Sequence, residues 1–207
     1  MNLGTLRALY RYPVKSLRPQ PLEVAYVDAN GVEGDRRRAL IAGMGARAGK
    51  SARGKEHPQF HLLATPDEAI ASEPDEQLSL ADSEERFYDD APISLIVDRW
   101  LDGLSKHVGY RVEHQRFRPN FYIEAPGDAP AEDALTGREL HLGEVVLRVR
   151  YPIERCVVPN YDLHGGEPDP RILYYVAQAR STWMGIYCDV PRAGIVRIGD
   201  SLSLIER

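Results

Sequence analysis

The sequence predicts a mainly β protein with a few helices, most simply a barrel with short helical connections. Three observations lead there. Short stretches alternate apolar and polar residues at period two, as in EVVLRVRY, where Val145, Leu147, Val149 and Tyr151 fall on one side and Arg148 and Arg150 on the other. Turn signals punctuate them at Asn30-Gly31, Gly143-Glu144 and Gly199-Asp200. Only two stretches carry the three- and four-residue spacing of an amphipathic helix. With 207 residues, 43% of them hydrophobic, the chain fits one large or two small domains around a real core.

TLRALYRYPVKSL reads as a strand entering a loop at Pro13. PLEVAYVDANGVEGDRRRALIA reads as strand, Asn-Gly turn, loop and strand, and QLSL as a further short strand. The stretch from about Ala71 to Glu85 is polar and acidic, and is either a domain junction or a long loop within a continuing sheet. ISLIVDRWLDGLSKHVG spaces Leu95, Ile96, Trp100, Leu101, Leu104 and Val108 as the inner face of a helix capped by Ser94. YRVEHQRF, FYIEA, ELHL, EVVLRVRY and GIVRIGDSLSLIE read as strands, with hairpins at Gly143-Glu144 and Gly199-Asp200. PDPRILYYVAQA reads as a helix with Asp169 as cap, Pro170 at its first position, and Ile172, Leu173, Val176 and Ala177 inward.

A net charge of −5 argues against a nucleic-acid footprint over the whole surface. No apolar run approaches the ~20 residues of a membrane span, and the N-terminus lacks the pattern of a signal peptide. The expectation is a soluble, cytoplasmic protein with no membrane or nucleic-acid partner, whose two cysteines, Cys156 and Cys188, are free thiols. GxSxG, P-loop and GxGxxG motifs are absent. His57 and His61 stand four apart, but Pro58 and the absence of a carboxylate pattern nearby argue against a metal pair, and the other histidines have no ligand spacing.

The chemistry-bearing residues sit in short polar islands at strand ends. YPVKS offers Lys15 and Ser16, EGDRR offers Arg36, SARGKEHP offers Arg53, RFRPN offers Arg118 and Asn120, and Arg155 precedes Cys156. Guanidinium forks suit phosphate or a carbonyl edge, and an asparagine suits a heterocycle edge. An extended Arg-Pro-Asn segment would send Arg118 and Asn120 to the same side. If the basic islands converge, they form an anion site.

In order, YPVKS, GDRR, SAR, YDDAPISLI, RFRPN, AED, LHLGEVVL, RCVV and GIVRIGDSL resemble the MOSC family, the molybdenum cofactor sulfurase C-terminal domain with its N-terminal β-barrel, over nearly the whole chain. The branch it most resembles contains the amidoxime reducing component. The resemblance implies a MOSC-type β-barrel over 81–207 and an N-terminal β-barrel-like region over 1–80. It implies molybdenum ion binding through a molybdopterin-type molybdenum cofactor, with Cys156 as the catalytic residue and metal ligand. Lys15, Ser16, Arg36, Arg53, Arg118, Asn120 and Arg155 would be cofactor-binding. The implied activity is an oxidoreductase that reduces N-hydroxylated small molecules with electrons from an external electron-transfer protein or reductase; pyridoxal phosphate binding is a further property attached to the family. The alternatives are a non-catalytic cofactor or sulfur carrier and an anion-binding barrel. The chain departs from the branch at Ile153, where a second cysteine is usual, at Pro159-Asn160, where hydroxyl residues are usual, and at Ala134 after AED.

Overall fold

The computed structural model describes residues 1–45 and 47–205. Its centre is a closed barrel. Chain order begins with β1 (Asn2–Arg11), β2 (Gln20–Leu22), β3 (Val24–Asp28), β4 (Gly31–Val32), β5 (Arg38–Ile41), helix α1 (Pro66–Ser72) and β6 (Ser79–Asp82). It continues with β7 (Ile93–Val97), α2 (Asp102–Val108), β8 (Phe121–Glu124), β9 (Glu139–Leu142), β10 (Val145–Glu154), α3 (Pro170–Ala179), β11 (Trp183–Arg192), β12 (Gly194–Arg197) and β13 (Ser201–Leu204). Seven strands run β13-β9-β10-β11-β7-β8-β1, and β1 pairs back onto β13 to close the ring; β2 extends β1 at its far end. Closure leaves the ring without an unpaired edge along most of its length.

The strands form where alternation and turn chemistry demand them. β9 and β10 make the expected hairpin, Leu142 opposite Val145, with Gly143 in the left-handed region at φ +57°. The Asn-Gly turn joins β3 to β4, and Gly31 sits at φ +97° where an added Cβ would stand 2.5 Å from the Pro92 carbonyl oxygen. Only glycine fits there. Along β10 the pairing with β11 slips between Val149 and Tyr151, so Arg150 and Tyr151 are both exposed and Tyr151 leaves the inner side it was assigned.

Four expectations are corrected. Residues 93–97 are not helix but β7, all five buried, antiparallel to β11 and parallel to β8. A continuous apolar run buried on both faces carries no strand periodicity, so it reads as helix when a helical segment follows, and α2 begins only at Asp102. YRVEHQRF is not a strand; His114–Phe117 is a 3₁₀ turn ending in a left-handed Arg118. The segment after Gly194 is no hairpin: β12 pairs with β3, whereas β13 pairs with β9 and β1, and its expected last residue, Glu206, lies outside the described residues. In α3, Asp169 caps by accepting from Arg171 N and Ile172 and Val176 are buried, but Ala177 faces solvent.

Two cores result. The larger fills the barrel and the seat of α2 and α3, from Leu6 and Leu9 through Phe121, Leu147 and Ile186 to Leu202. The smaller gathers Val14, Leu17, Leu40, Phe60, Ala69 and Leu78 under the two-stranded β5–β6 sheet and α1. A cleft lies against residues of both halves.

His114 lies face-on to Tyr122, ring centroids 3.8 Å apart, and its Nε2 accepts from the Tyr10 hydroxyl at 3.0 Å, which in turn accepts from Gln115. Burial, helped by Arg111, pushes the imidazole down to about 4. The unfolded chain takes up this proton near the ordinary 6.5, so stability is complete above that pH and falls as pH drops toward 4, by an amount on the order of 2–3 kcal/mol. Urea unfolding at pH 7 and pH 4 should show a loss smaller by that amount in His114→Phe than in wild type; equal losses would mean the ring is already charged in the fold.

Candidate functional site

The cleft has a volume of about 580 Å³ and is lined by Lys15, Ser16, Arg36, Arg53, Arg118, Arg155 and Cys156 among others. Six basic or thiol side chains and a hydroxyl, spread from residue 15 to residue 156, thus reach one space. Asn120 does not line it.

Each is held by the backbone around it. After β1 the chain is zipped to the next loop: Arg36 N donates to Tyr12 O, Lys15 N to Arg38 O, and Val14 bridges Arg38. Ser16, Arg36 and Arg118 all have positive φ, 73°, 45° and 52°. Non-glycine residues in this region carry strain of order 1–3 kcal/mol, which persists where the surroundings over-determine it and clusters at binding sites. The surroundings here are explicit. Gly54 N donates to Ser16 Oγ at 3.0 Å, Arg118 Nη2 donates to Leu17 O at 2.8 Å, and Arg36 Nη1 donates to Asp35 at 2.5 Å.

Tyr12 is the floor. Its ring is fully buried, its hydroxyl donates to Pro119 O, and the guanidinium carbons of Arg36 and Arg118 stand 4.6 and 4.3 Å from its centroid. Burial pushes Arg118 down to about 10 despite Tyr12 and Asp35. Burial works against Arg36 as well, but Asp35 beside it raises that group above its ordinary range. Asp35, 2% exposed, also accepts from Tyr12 N at 2.6 Å.

Asn120 is a positioning residue. With Arg118 left-handed, the Arg-Pro-Asn segment is not extended, and the amide points into the protein. Its Oδ1 accepts from Ser94 N and Oγ at 3.1 and 3.0 Å and lies 3.4 Å from Arg36 Nη1, while Nδ2 donates to Tyr10 O. It therefore binds β1 to β7 beneath the cleft. Arg155 is also partly structural: Nε donates to Met184 O and Nη1 to Phe117 O, which leaves Nη2 buried and, among the described residues, without a partner. Burial pushes this guanidinium down to about 10. Lys15 pairs with Asp89 at 2.6 Å and Arg53 with Glu56 at the rim. Crowding by the walls opposes the Asp89 charge, yet Lys15, then Arg36 and Arg118, hold its carboxyl below the ordinary range.

The thiols separate. Cys156 is free, exposed and on the cleft wall two residues past β10; Cys188 is free and buried in β11, where burial raises its thiol well above the ordinary range. Beside Cys156 the wall turns aromatic, with Tyr151 edge-on to Tyr187 across the β10–β11 ladder and Trp183 opposite Glu154. Sequence reasoning missed Tyr12, Asp35, Asp89 and these aromatics. Asp35 and Asp89 lay inside quoted motifs, and a carboxylate amid arginines is the signal that marks them.

A family model described as the MOSC domain matches residues 82–203, and one described as the MOSC N-terminal beta barrel domain matches residues 3–88. No curated protein matches the chain. Among solved structures, the chain is similar to the YUAD protein from Bacillus subtilis, 16% identical with TM-score 0.58, over 98% of this chain and 94% of that one. It is similar also to YiiM from Escherichia coli, 12% identical with TM-score 0.51, over 98% of this chain and 70% of that one. At these identities the likeness is one of fold.

Asp35→Asn keeps the acceptor for Tyr12 N but removes the counter-charge of Arg36, and should cost about 3–5 kcal/mol in denaturant unfolding. Added pyrophosphate should restore part of that loss, because an anion in the cleft faces the same guanidiniums. No recovery would place Arg36 out of reach of cleft anions.

Proposed function

Since the chain belongs to the MOSC domain family, with the N-terminal β-barrel domain of that family ahead of it, we propose that it holds a molybdenum–pterin cofactor in this cleft through Cys156 and reduces N-hydroxylated small molecules. The electrons come from a separate electron-transfer protein or reductase. The family commonly binds molybdenum cofactor. The observation that carries the reading is the meeting, in one cavity, of a free exposed thiol with Lys15, Arg36, Arg53, Arg118 and Arg155, drawn from distant parts of the chain.

The residues fit such a group. A thiolate is a soft ligand suited to a soft metal, and Cys156 has no other partner among the cysteines. Lys15, Arg36 and Arg118 supply fixed positive charge for a phosphate, and Arg155 retains a buried donor without a partner. When bound, the group supplies the two-electron and oxygen-atom chemistry. This chain's residues do the rest. Tyr12 and Asp35 hold the guanidiniums at fixed distance, Ser16 ties the Arg53 loop to the cleft, and Ile153 and Val158 line the wall near the thiol. Tyr151, Tyr187 and Trp183 offer flat faces on which a planar substrate can stack near Cys156. Each turnover breaks an N–O bond, consumes two electrons and two protons, and releases the reduced nitrogen compound and water.

The test is protein purified from a host that makes the cofactor, with molybdenum measured by elemental analysis and turnover of an amidoxime measured with an artificial reductant. Wild type should carry metal and turn over. Cys156→Ser, nearly isosteric, should lose both while its melting temperature changes little. Metal without turnover would favour the carrier reading; unaltered metal in Cys156→Ser would remove the ligand assignment.

A further inference from the structure

A second cluster of ligating groups lies apart from the cleft, among residues that the reading above does not use. His57 is 5% exposed and stacked on Phe60, ring centroids 4.4 Å apart. Its Nδ1 stands 3.4 Å from Glu73 Oε1 and its Nε2 3.4 Å from Glu76 Oε2. The sequence shows no carboxylate pattern close to His57 and His61; the two glutamates reach His57 from the segment after α1.

We propose that His57, Glu73 and Glu76 form a binding site for a divalent cation of the zinc class. Three features support it. First, the carboxylates are brought near one another by the chain: Glu73 caps the end of α1 and the start of the 3₁₀ turn Pro74–Glu76, whose last residue is Glu76. Glu76 is fixed from its other side by Gly43 N and Met44 N, which donate to its carbonyl oxygen. Second, 3.4 Å exceeds the roughly 2.7–3.2 Å of a made hydrogen bond. The two distances run to opposite ring nitrogens, so one ion uses only one of them; that 3.4 Å edge falls within the roughly 3.3–3.5 Å that separates ligand atoms around a tetrahedral ion with bonds of about 2.0–2.2 Å. One ligand atom from each of the three residues lies within 4.8 Å of the others, and Gln59 Nε2, donating to Glu73 Oε1, fixes that carboxylate beside the ring. Third, the charges match, since two carboxylates and a neutral imidazole neutralise a divalent ion.

One imidazole nitrogen and two carboxylates suit zinc better than magnesium, which prefers an all-oxygen shell. The ion takes one ring nitrogen, and the other keeps its proton beside a carboxylate, which fixes the tautomer. Water fills the fourth position, and the side open to solvent, where Glu76 is 35% exposed, is the entry path. Bound there, the ion would staple the loop that carries Arg53 and Gly54 into the cleft, since His57 N donates to Arg53 O. The site is independent of the cofactor proposal.

The experiment uses full-length protein stripped with chelator and titrated with Zn²⁺ by calorimetry, with melting followed in parallel. One Zn²⁺ per chain should bind and raise the melting temperature, equally in wild type and in Cys156→Ser. Glu76→Gln and Glu73→Gln, nearly isosteric, should each weaken binding by about 10-fold or more; either suffices if the other fails to fold. Mg²⁺ should give no shift. No binding in wild type would overturn the proposal, as would binding lost in Cys156→Ser yet kept in both glutamine variants.

Discussion

The stacking of two guanidiniums on one buried tyrosine is the contact on which the cleft depends. Arg36 and Arg118 repel each other, and both lose solvent against Tyr12; what holds them is the electron-rich ring face, the Asp35 carboxylate, and the Leu17 carbonyl that Arg118 meets. Tyr12 directly follows β1, Arg36 belongs to the loop before β5, and Arg118 closes the 3₁₀ turn before β8. One ring thus fixes the meeting of three segments. The left-handed backbones at Arg36 and Arg118 follow, because a relaxed chain at either position would swing its side chain off the ring.

A charge count alone would describe the cleft as a basic hole, and that is only half true. Asp35, Glu56, Asp89 and Asp162 each take one of the arginines or lysines around it. The positive field is therefore shaped by which cations are left underpaired. Among the described residues, the Arg118 guanidinium bonds one carbonyl and that of Arg155 two, and these are the two whose charge burial weakens most.

Much of this was legible in the residue order, within limits set by what each pattern can encode. The β9–β10 hairpin and α3 were readable because period-two alternation, an αL glycine, and an Asp-Pro start are local signals. β7 was not, since a strand buried on both faces has no polar side to alternate with. The split of β12 and β13 between sheets depends on partners more than 150 residues away, and no turn signal records it. At the site, residue type revealed the converging basic groups, yet it could not tell Arg118, which faces the cavity, from Asn120 two places on, which lies beneath it. The left-handed φ at Arg118 decides that difference, and nothing in Arg-Pro-Asn announces it.

The pairing of β1 with β13 sets the order in which the barrel can be completed during synthesis. β1 finds one neighbour in β8, about 115 residues later, and the other in β13, about 200 residues later, with Met1 N donating to the Leu204 carbonyl. β1 must therefore wait for β13, with its edge exposed, while some two hundred residues leave the ribosome. At about 5–20 residues per second that interval is on the order of ten seconds or more. A topology so rich in distant contacts closes slowly, and nascent β1 is the segment for which a chaperone has most reason to stay.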